Sequence, residues 1–385
     1  MRIIIFLSII LLTLGGGGWY VYNRLSSAFP GSFVQNKIFI AGFIFVLFSF
    51  ILGKTLEYNK LYFLSDPLLK FGAYSLGFMF YGFLAVVLVD LFRVIHFFVP
   101  VLPTFLRENS TQIRLVIGIS VIALVTLTVV YGAWNARYLR VKKLELKVNK
   151  KVEGIDTLHI VAVSDVHLGN MTGHGKLGKL INRMNSLKPD IVLIAGDIVD
   201  DNIDFVKRSR LLERFRELKP KFGVYAVMGN HEYIGRAHND LSYFKENDIR
   251  MLIDQTELID EKFYLVGRND INTERMALSS RKKLNELMVG IDKSKPVLLL
   301  DHQPYHLEEA VKNGVDLQIS GHTHHGQMWP LSWITKAIFE LDWGYLQKKD
   351  THFYVSSGFG TAGPPIKVGS HSELVDIRLV FQSGK

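Results

Sequence analysis

The chain has 385 residues, a formal net charge of +9, 48% hydrophobic residues and no cysteine. That length exceeds one ordinary domain, and the lack of cysteine excludes disulfides and thiolate metal ligands. The charge is uneven: residues 137–151 hold seven basic residues and one acid, whereas 152–385 carry 29 basic and 31 acidic residues, which removes the broad positive face a nucleic-acid partner needs.

Residues 1–136 read as a transmembrane region with four spans, at about 3–22, 37–54, 71–92 and 114–135. Between Arg2 and Arg24 lie 21 uncharged residues and between Arg114 and Arg137 lie 22, enough to cross a bilayer. The run after Lys70 has 19 and the run after Lys37 has 16, the latter lengthened by lysines that snorkel at its ends. Arg2 and "IIIFLSIILLTL" look like the start of a signal peptide, but "GGGG" gives way to Trp19, Tyr20 and Tyr22 rather than to a small-residue cleavage site, so an uncleaved anchor is expected. Nine Lys or Arg residues fall on one side of the four spans and five on the other, which predicts a multi-pass protein of the plasma or inner membrane with its C-terminal domain in the cytoplasm. Residues 137–156 read as a basic juxtamembrane linker suited to anionic headgroups, or to a topology signal alone.

From 157 to 385 the pattern alternates strands and helices. Strands are predicted over 158–165, 190–197, 222–230, 296–302 and 315–322, with helices over 175–187, near 205–218 and near 305–313. Such alternation implies a layered α/β domain. "HFYVSSGFG" and "SELVDIRLVF" read as strands added from a second sheet.

Five of the apolar strands end in polar clusters: "SDVHLG", "GDIVD", "GNHE", "DHQP" and "GHTHHG". Strand ends on one edge of an α/β sheet converge, so Asp165, His167, Asp197, Asn230, His302, His322 and His324 can meet. In Asp165-x-His167 and His322-x-His324, the spacing of two puts both members on one side of an extended segment. Oxygen from Asp and Asn with nitrogen from His suits manganese, iron or zinc rather than calcium. Seven ligands exceed the needs of one ion; two ions sharing a carboxylate would use them all. Each residue alone has a bland explanation: a helix cap for either Asp, a turn for Asn230, a packed imidazole for His302. Five coincident accidents on successive strand ends do not. His96, His159, His174, His238, His306, His352 and His371 have no such setting and read as structural.

In their order, these five blocks resemble the calcineurin-like metallophosphoesterases, over about 157–380. The resemblance implies an αββα sandwich of four layers, here preceded by about four transmembrane helices, and a dinuclear phosphoesterase in which a metal-bridging hydroxide attacks the substrate. It assigns one metal to Asp165, His167, Asp197 and His324 and the other to Asp197, Asn230, His302 and His322. His231 would face the substrate, and Asp200 and Asp301 are candidates for orienting a ligand histidine or are ordinary turn carboxylates. "YVSSGFGTAGPPIKVGSHSELVDIRL" at 354–379 looks like the closing segment of bacterial membrane-associated phosphodiesterases, some linked to UDP-2,3-diacylglucosamine hydrolysis. The expected substrate is therefore a phosphodiester or pyrophosphate, with a lipid-linked one met among membrane lipids as the leading reading; the alternatives are a tethered enzyme for soluble nucleotides or phosphoproteins and an inactive binding module. His325, where that branch usually has glycine, is expected to face solvent. The stretch from Trp329 to Trp343 is aromatic without being a span, and either dips into the bilayer interface, caps the pocket or packs in the core.

Overall fold

The computed structural model describes residues 11–382 apart from 30, 32, 100–110, 201, 277 and 279. Two compact units result, one of Met1–Trp134 with Gly363–Ile366, the other of Asn135–Ala362 with Lys367–Lys385.

The first unit is helical. The expected span at 3–22 begins outside the described residues; from Leu11 the chain is helical, and α1 covers Gly17–Ala28. The helices α2 (Lys37–Tyr58), α3 (Tyr62–Phe98) and α4 (Thr111–Asn135) are each long and apolar enough to cross a bilayer, with mean hydropathy of 2.2, 2.1 and 2.5. α3, expected over 71–92, runs for 37 residues. Asn36 caps α2 by accepting from the Ile38 amide at 2.9 Å. α2 and α3 meet at small residues: a Cβ on Gly72 would lie 2.4 Å from the Phe50 amide nitrogen, so only glycine permits this approach of two backbones.

The second unit contains two six-stranded sheets. β1 (Leu139–Val148), β2 (Thr157–Val163), β3 (Ile191–Ile194), β4 (Val224–Ala226) and β5 (Ile249–Met251) belong to one; β6 (Gln255–Ile259), β7 (Phe263–Gly267), β8 (Val297–Leu300), β9 (Leu317–Ser320), β10 (Gly344–Lys348) and β11 (Thr351–Val355) form the other. β12 (Ser372–Phe381) completes the first, giving the orders β1-β12-β2-β3-β4-β5 and β10-β11-β9-β8-β7-β6. Alternate residues along each strand divide between cores, as a period of two requires. Ile160, Ala162 and Leu193 of the first sheet bury against Leu265, Leu298 and Ile319 of the second. Val161, Val163 and Val192 face outward onto Leu177, Leu180 and Met184 of α5 (His174–Leu187). On the far side, Val297 and Leu299 pack on Leu307 and Ala310 of the helix Leu307–Asn313. Helix, sheet, sheet and helix are the four layers anticipated.

Three expectations require correction. Residues 139–148 are not a linker: β1 runs parallel to β12 in register from Leu139↔Ser372 to Val148↔Phe381. Its lysines and arginine alternate with Leu144, Leu146 and Val148 at the sheet's edge, where charge blocks further pairing. β12 joins the first sheet, antiparallel to β2, and only β11 joins the second. The helix expected near 205–218 breaks into Ile203–Arg208 and a tighter turn, Leu212–Glu217, around Arg210 at φ 53°.

Candidate metal centre

Loops leaving β2, β3, β4, β8 and β9 meet on one edge. The Asp165 amide donates to Gly196 O and the His167 amide to Asp197 O, each at 3.0 Å, and Gly321 donates to His302 O at 2.9 Å. Glycine is required where these turns touch: a Cβ on Gly229 would sit 2.1 Å from Asp197 Oδ1, and one on Gly321 2.3 Å from Asp165 Oδ2. Asp165, His167, Asp197, His322 and His324 all take left-handed backbone angles, with φ from 47° to 74°. Each costs roughly 1–2 kcal/mol for a residue with a Cβ, and such strain gathers where surrounding structure holds side chains for a purpose.

All seven anticipated ligands come together. Asp165, His167 and His324 offer ligand atoms within 4.8 Å of one another, and so do Asp197, His302 and His322. His167 Nε2 lies 3.0 Å from His324 Nε2 and 3.8 Å from Asp197 Oδ2, while His302 Nε2 lies 3.2 Å from the same Asp197 oxygen. Asp197 therefore stands between the two groups. Asn230 Oδ1 is 2.7 Å from His322 Nδ1 and 3.2 Å from His302 Nε2, which places it in the second group.

The donor set fits metal cations. Two ring nitrogens aimed at each other across 3.0 Å, beside carboxylates, form a poor protein-only arrangement but a good half-shell for a cation. Burial pushes His322 down to about 3 and His324 well below the usual histidine range, so both imidazoles are neutral lone-pair donors. Burial opposes the charge of Asp197, yet His302, His231 and His167 together hold its carboxyl well below the usual range, keeping it an anion.

Supporting residues fix these side chains. Asp200 Oδ1 lies 3.2 Å from His167 Nδ1 and 3.4 Å from His231 Nδ1, orienting both rings. His302 Nδ1 donates to Ala195 O at 2.7 Å, which turns its Nε2 toward Asp197. Asp301 does not touch a ligand histidine; its Oδ2 is held by Arg268 at 3.1 Å and Arg281 at 2.5 Å. The His231 amide donates to Asp197 Oδ1 at 2.9 Å, and its side chain is 18% exposed where that of His167 is 1% exposed. His325 is buried rather than solvent-facing: Nδ1 pairs with Asp342 Oδ2 at 2.8 Å and the ring lies tilted by 44° against that of Trp343. Its left-handed backbone, φ 50°, turns the side chain inward.

Sequence reasoning assigned no role to Glu232. It is buried, and its carboxyl accepts from the amides of Asp197 at 3.0 Å, Val199 at 2.9 Å and Gly229 at 2.7 Å, tying two ligand loops together. Its place three residues after Gly229, at the start of the short helix Asn230–Ile234, is a capping-box signal that could have found it. Lys367 was also missed: fully buried, its ammonium donates to Ser357 O at 2.9 Å, Gly358 O at 2.5 Å and His371 O at 3.0 Å. Those bonds hold the turn at Gly358, where a Cβ would meet Asp165 and His324 at 2.8 and 3.0 Å.

Residues 158–326 match the family described as Calcineurin-like phosphoesterase. A metallophosphoesterase of Aquifex aeolicus is 31% identical over 251 residues, covering 65% of this chain and 95% of that protein. One from Campylobacter jejuni is 29% identical over 392 residues, 98% of this chain and 99% of its own length, so the likeness includes the apolar helices. A Danio rerio protein named "Transmembrane protein with metallophosphoesterase domain" is 29% identical over 278 residues, 68% of this chain but only 62% of that protein. With its long apolar helices and its five converging strand-end blocks, this chain is a membrane protein that belongs to the calcineurin-like metallophosphoesterases.

Proposed function

We propose that the protein is a phosphoesterase using two divalent cations, drawn from manganese, iron or zinc, to cleave a phosphodiester or pyrophosphate bond in a lipid-linked substrate. The observation that carries the catalytic part is Asp197, shared by two ligand groups within reach of one another. Asp165, His167, Asp197 and His324 would hold one cation and Asp197, Asn230, His302 and His322 the other. Bound there, the pair would acidify water and offset negative charge on the phosphoryl oxygens.

The chain's own residues set up the rest. Asp200 lies 3.4 Å from His231 Nδ1, and the partly exposed ring of His231 would hydrogen-bond a phosphoryl oxygen or protonate the departing one. Burial of the ligand cluster keeps bulk water from the centre, which strengthens every charge interaction in it. The aromatic ring of Phe339, 6.0 Å from that of His322, forms an apolar wall beside the second group.

Two features support a lipid-linked substrate. The catalytic unit begins directly after a long apolar helix, and its first residues are fixed within it: Asn135 donates to Lys367 O at 3.0 Å and Ser370 O at 2.7 Å, and Ala136 O accepts from Ser372 at 2.8 Å. Directly after the last ligand loop comes the helix Ser332–Ile338, on which Trp333, Ile334 and Ile338 are 64%, 56% and 57% exposed. Exposed tryptophan and isoleucine in one short helix suit a bilayer interface. A catalytic unit in the cytoplasm, as the loop charges suggest, would meet the inner leaflet; UDP-2,3-diacylglucosamine is one substrate of this chemical class.

The test is hydrolysis of an aryl phosphodiester and the matching monoester by the full-length protein in detergent, with manganese added or chelated, beside Asp197→Ala. Manganese-dependent cleavage, faster on the diester and lost in the variant, is expected, followed by turnover of diacyl pyrophosphates in vesicles. A metal-loaded protein inert on every ester would overturn the catalytic reading; soluble nucleotides cleaved far faster than vesicle-borne lipids would overturn the substrate class.

A further inference from the structure

Among α1, α3 and α4 lies a cavity of about 280 Å³ whose walls include Val21, Phe78, Gly82, Val86, Val121 and Val125. Gly82 borders open space, since a Cβ there would meet nothing nearer than Val21 at 4.0 Å. The walls are apolar, so water gains little by filling it.

One end of the same cavity is lined by Arg24, Asp90, Arg93 and Arg114, three cations against one carboxylate. Asp90 is already fully engaged. Its Oδ2 takes Arg24 Nη2 at 2.7 Å together with the Tyr20 hydroxyl, and its Oδ1 takes Arg93 Nη1 at 3.0 Å. Among the described residues Arg114 reaches only Thr111 Oγ1, at 3.5 Å, and its Nε is buried without a hydrogen-bond partner there. Among the described lining residues two positive charges stand in excess beside an apolar chamber, an arrangement that an anion would relieve.

We infer that this chamber is a binding site for an anionic phospholipid, its phosphate held by Arg24, Arg93 and Arg114 and one acyl chain lying along Val86, Val121 and Val125. Arginine forks match phosphate oxygens in pairs, and a phosphodiester supplies the missing negative charge without protonation. The occupant is a lipid rather than a free anion because the charged end opens onto an apolar volume that only a hydrocarbon fills favourably. The site is not the catalytic one. Every residue lining it belongs to the helical unit, whereas all seven candidate ligands belong to the other. A lipid bound there ties three helices together without being consumed.

The test uses the full-length protein, delipidated in neutral detergent, and native mass spectrometry with dioleoyl phosphatidylglycerol, dioleoyl phosphatidylcholine and inorganic phosphate as probes. Expected are one phosphatidylglycerol retained at least tenfold more tightly than phosphatidylcholine, a rise of several degrees in unfolding temperature with phosphatidylglycerol only, and no shift with phosphate. Arg114→Gln should bring phosphatidylglycerol down to the phosphatidylcholine level. Gly82→Leu, which fills the chamber and leaves the charges alone, should lower retention of both lipids while manganese-dependent hydrolysis of the aryl diester is unchanged. Equal retention of the two lipids by the wild type, or stabilisation by phosphate as large as by lipid, would overturn the inference, and that comparison needs no variant to fold.

Discussion

Glu232→Gln probes how the two ligand loops are held. The carboxyl takes Val199 on Oε1 and both Asp197 and Gly229 on Oε2, at 2.7–3.0 Å. Burial and the nearby Asp197 push Glu232 up to about 7, against the pull of the Val199 and Gly229 amides. What glutamine loses is geometry. With its oxygen serving Asp197 and Gly229, its NH₂ faces the Val199 amide, so two buried donors oppose each other and the Val199 amide loses its acceptor, at about 1–3 kcal/mol. Taking about 2 kcal/mol, and 2–4 °C per kcal/mol for a domain of this size, the catalytic unit should melt about 4–8 °C lower. Glu232→Ala orphans three amides and should cost more than glutamine. Thermal scans of the full-length protein followed by near-UV circular dichroism, in chelator, would read this. Melting within 1 °C of wild type for glutamine, or alanine milder than glutamine, would refute the clamp.

Other substitutions test other parts of the site. Gly229→Ala places a methyl 2.1 Å from Asp197 Oδ1, so metal content measured by mass spectrometry should fall at least tenfold, because the carboxylate cannot keep its place. Glu373 is buried, which opposes its charge, but His371, the Ser357 amide and Trp343 outweigh this and hold it below the usual 4.5. A carboxyl lowered on folding stabilises above its unfolded value and loses that stabilisation as pH falls through its folded one. Below pH 4.5 the wild type should therefore weaken more steeply than Glu373→Gln; parallel acid limbs would contradict this. Asp342→Asn weakens the bonds to His325 and Thr335, both 2.8 Å, and should cost about 1–2 kcal/mol by denaturant titration while leaving metal content intact. Loss of metal in this variant would make His325 part of the ligand shell rather than its support.

The metal centre was legible in sequence because its signals are local. Each ligand follows a short apolar strand, and an alternating α/β pattern leaves strand ends few places to go but one shared edge. The long apolar helices were legible for a similar reason, since hydropathy over some twenty residues requires no partner. Partners far along the chain were not legible. The Lys- and Arg-bearing residues of β1 read as a linker until Phe381 and its neighbours, more than 200 positions away, supplied the paired edge. Asp301 resembled a partner for histidine until Arg268 and Arg281 reached it, and His325 resembled a surface residue until its left-handed backbone turned it onto Asp342. The Arg24, Arg93 and Arg114 group belongs to three helices at once and exists only when they pack. Residue type and spacing alone marked the strand-end carboxylates and imidazoles as candidate metal ligands; the tertiary structure decided which of them stand side by side, with Asp197 between the two groups, because that depends on pairing between segments whose separation no local pattern records.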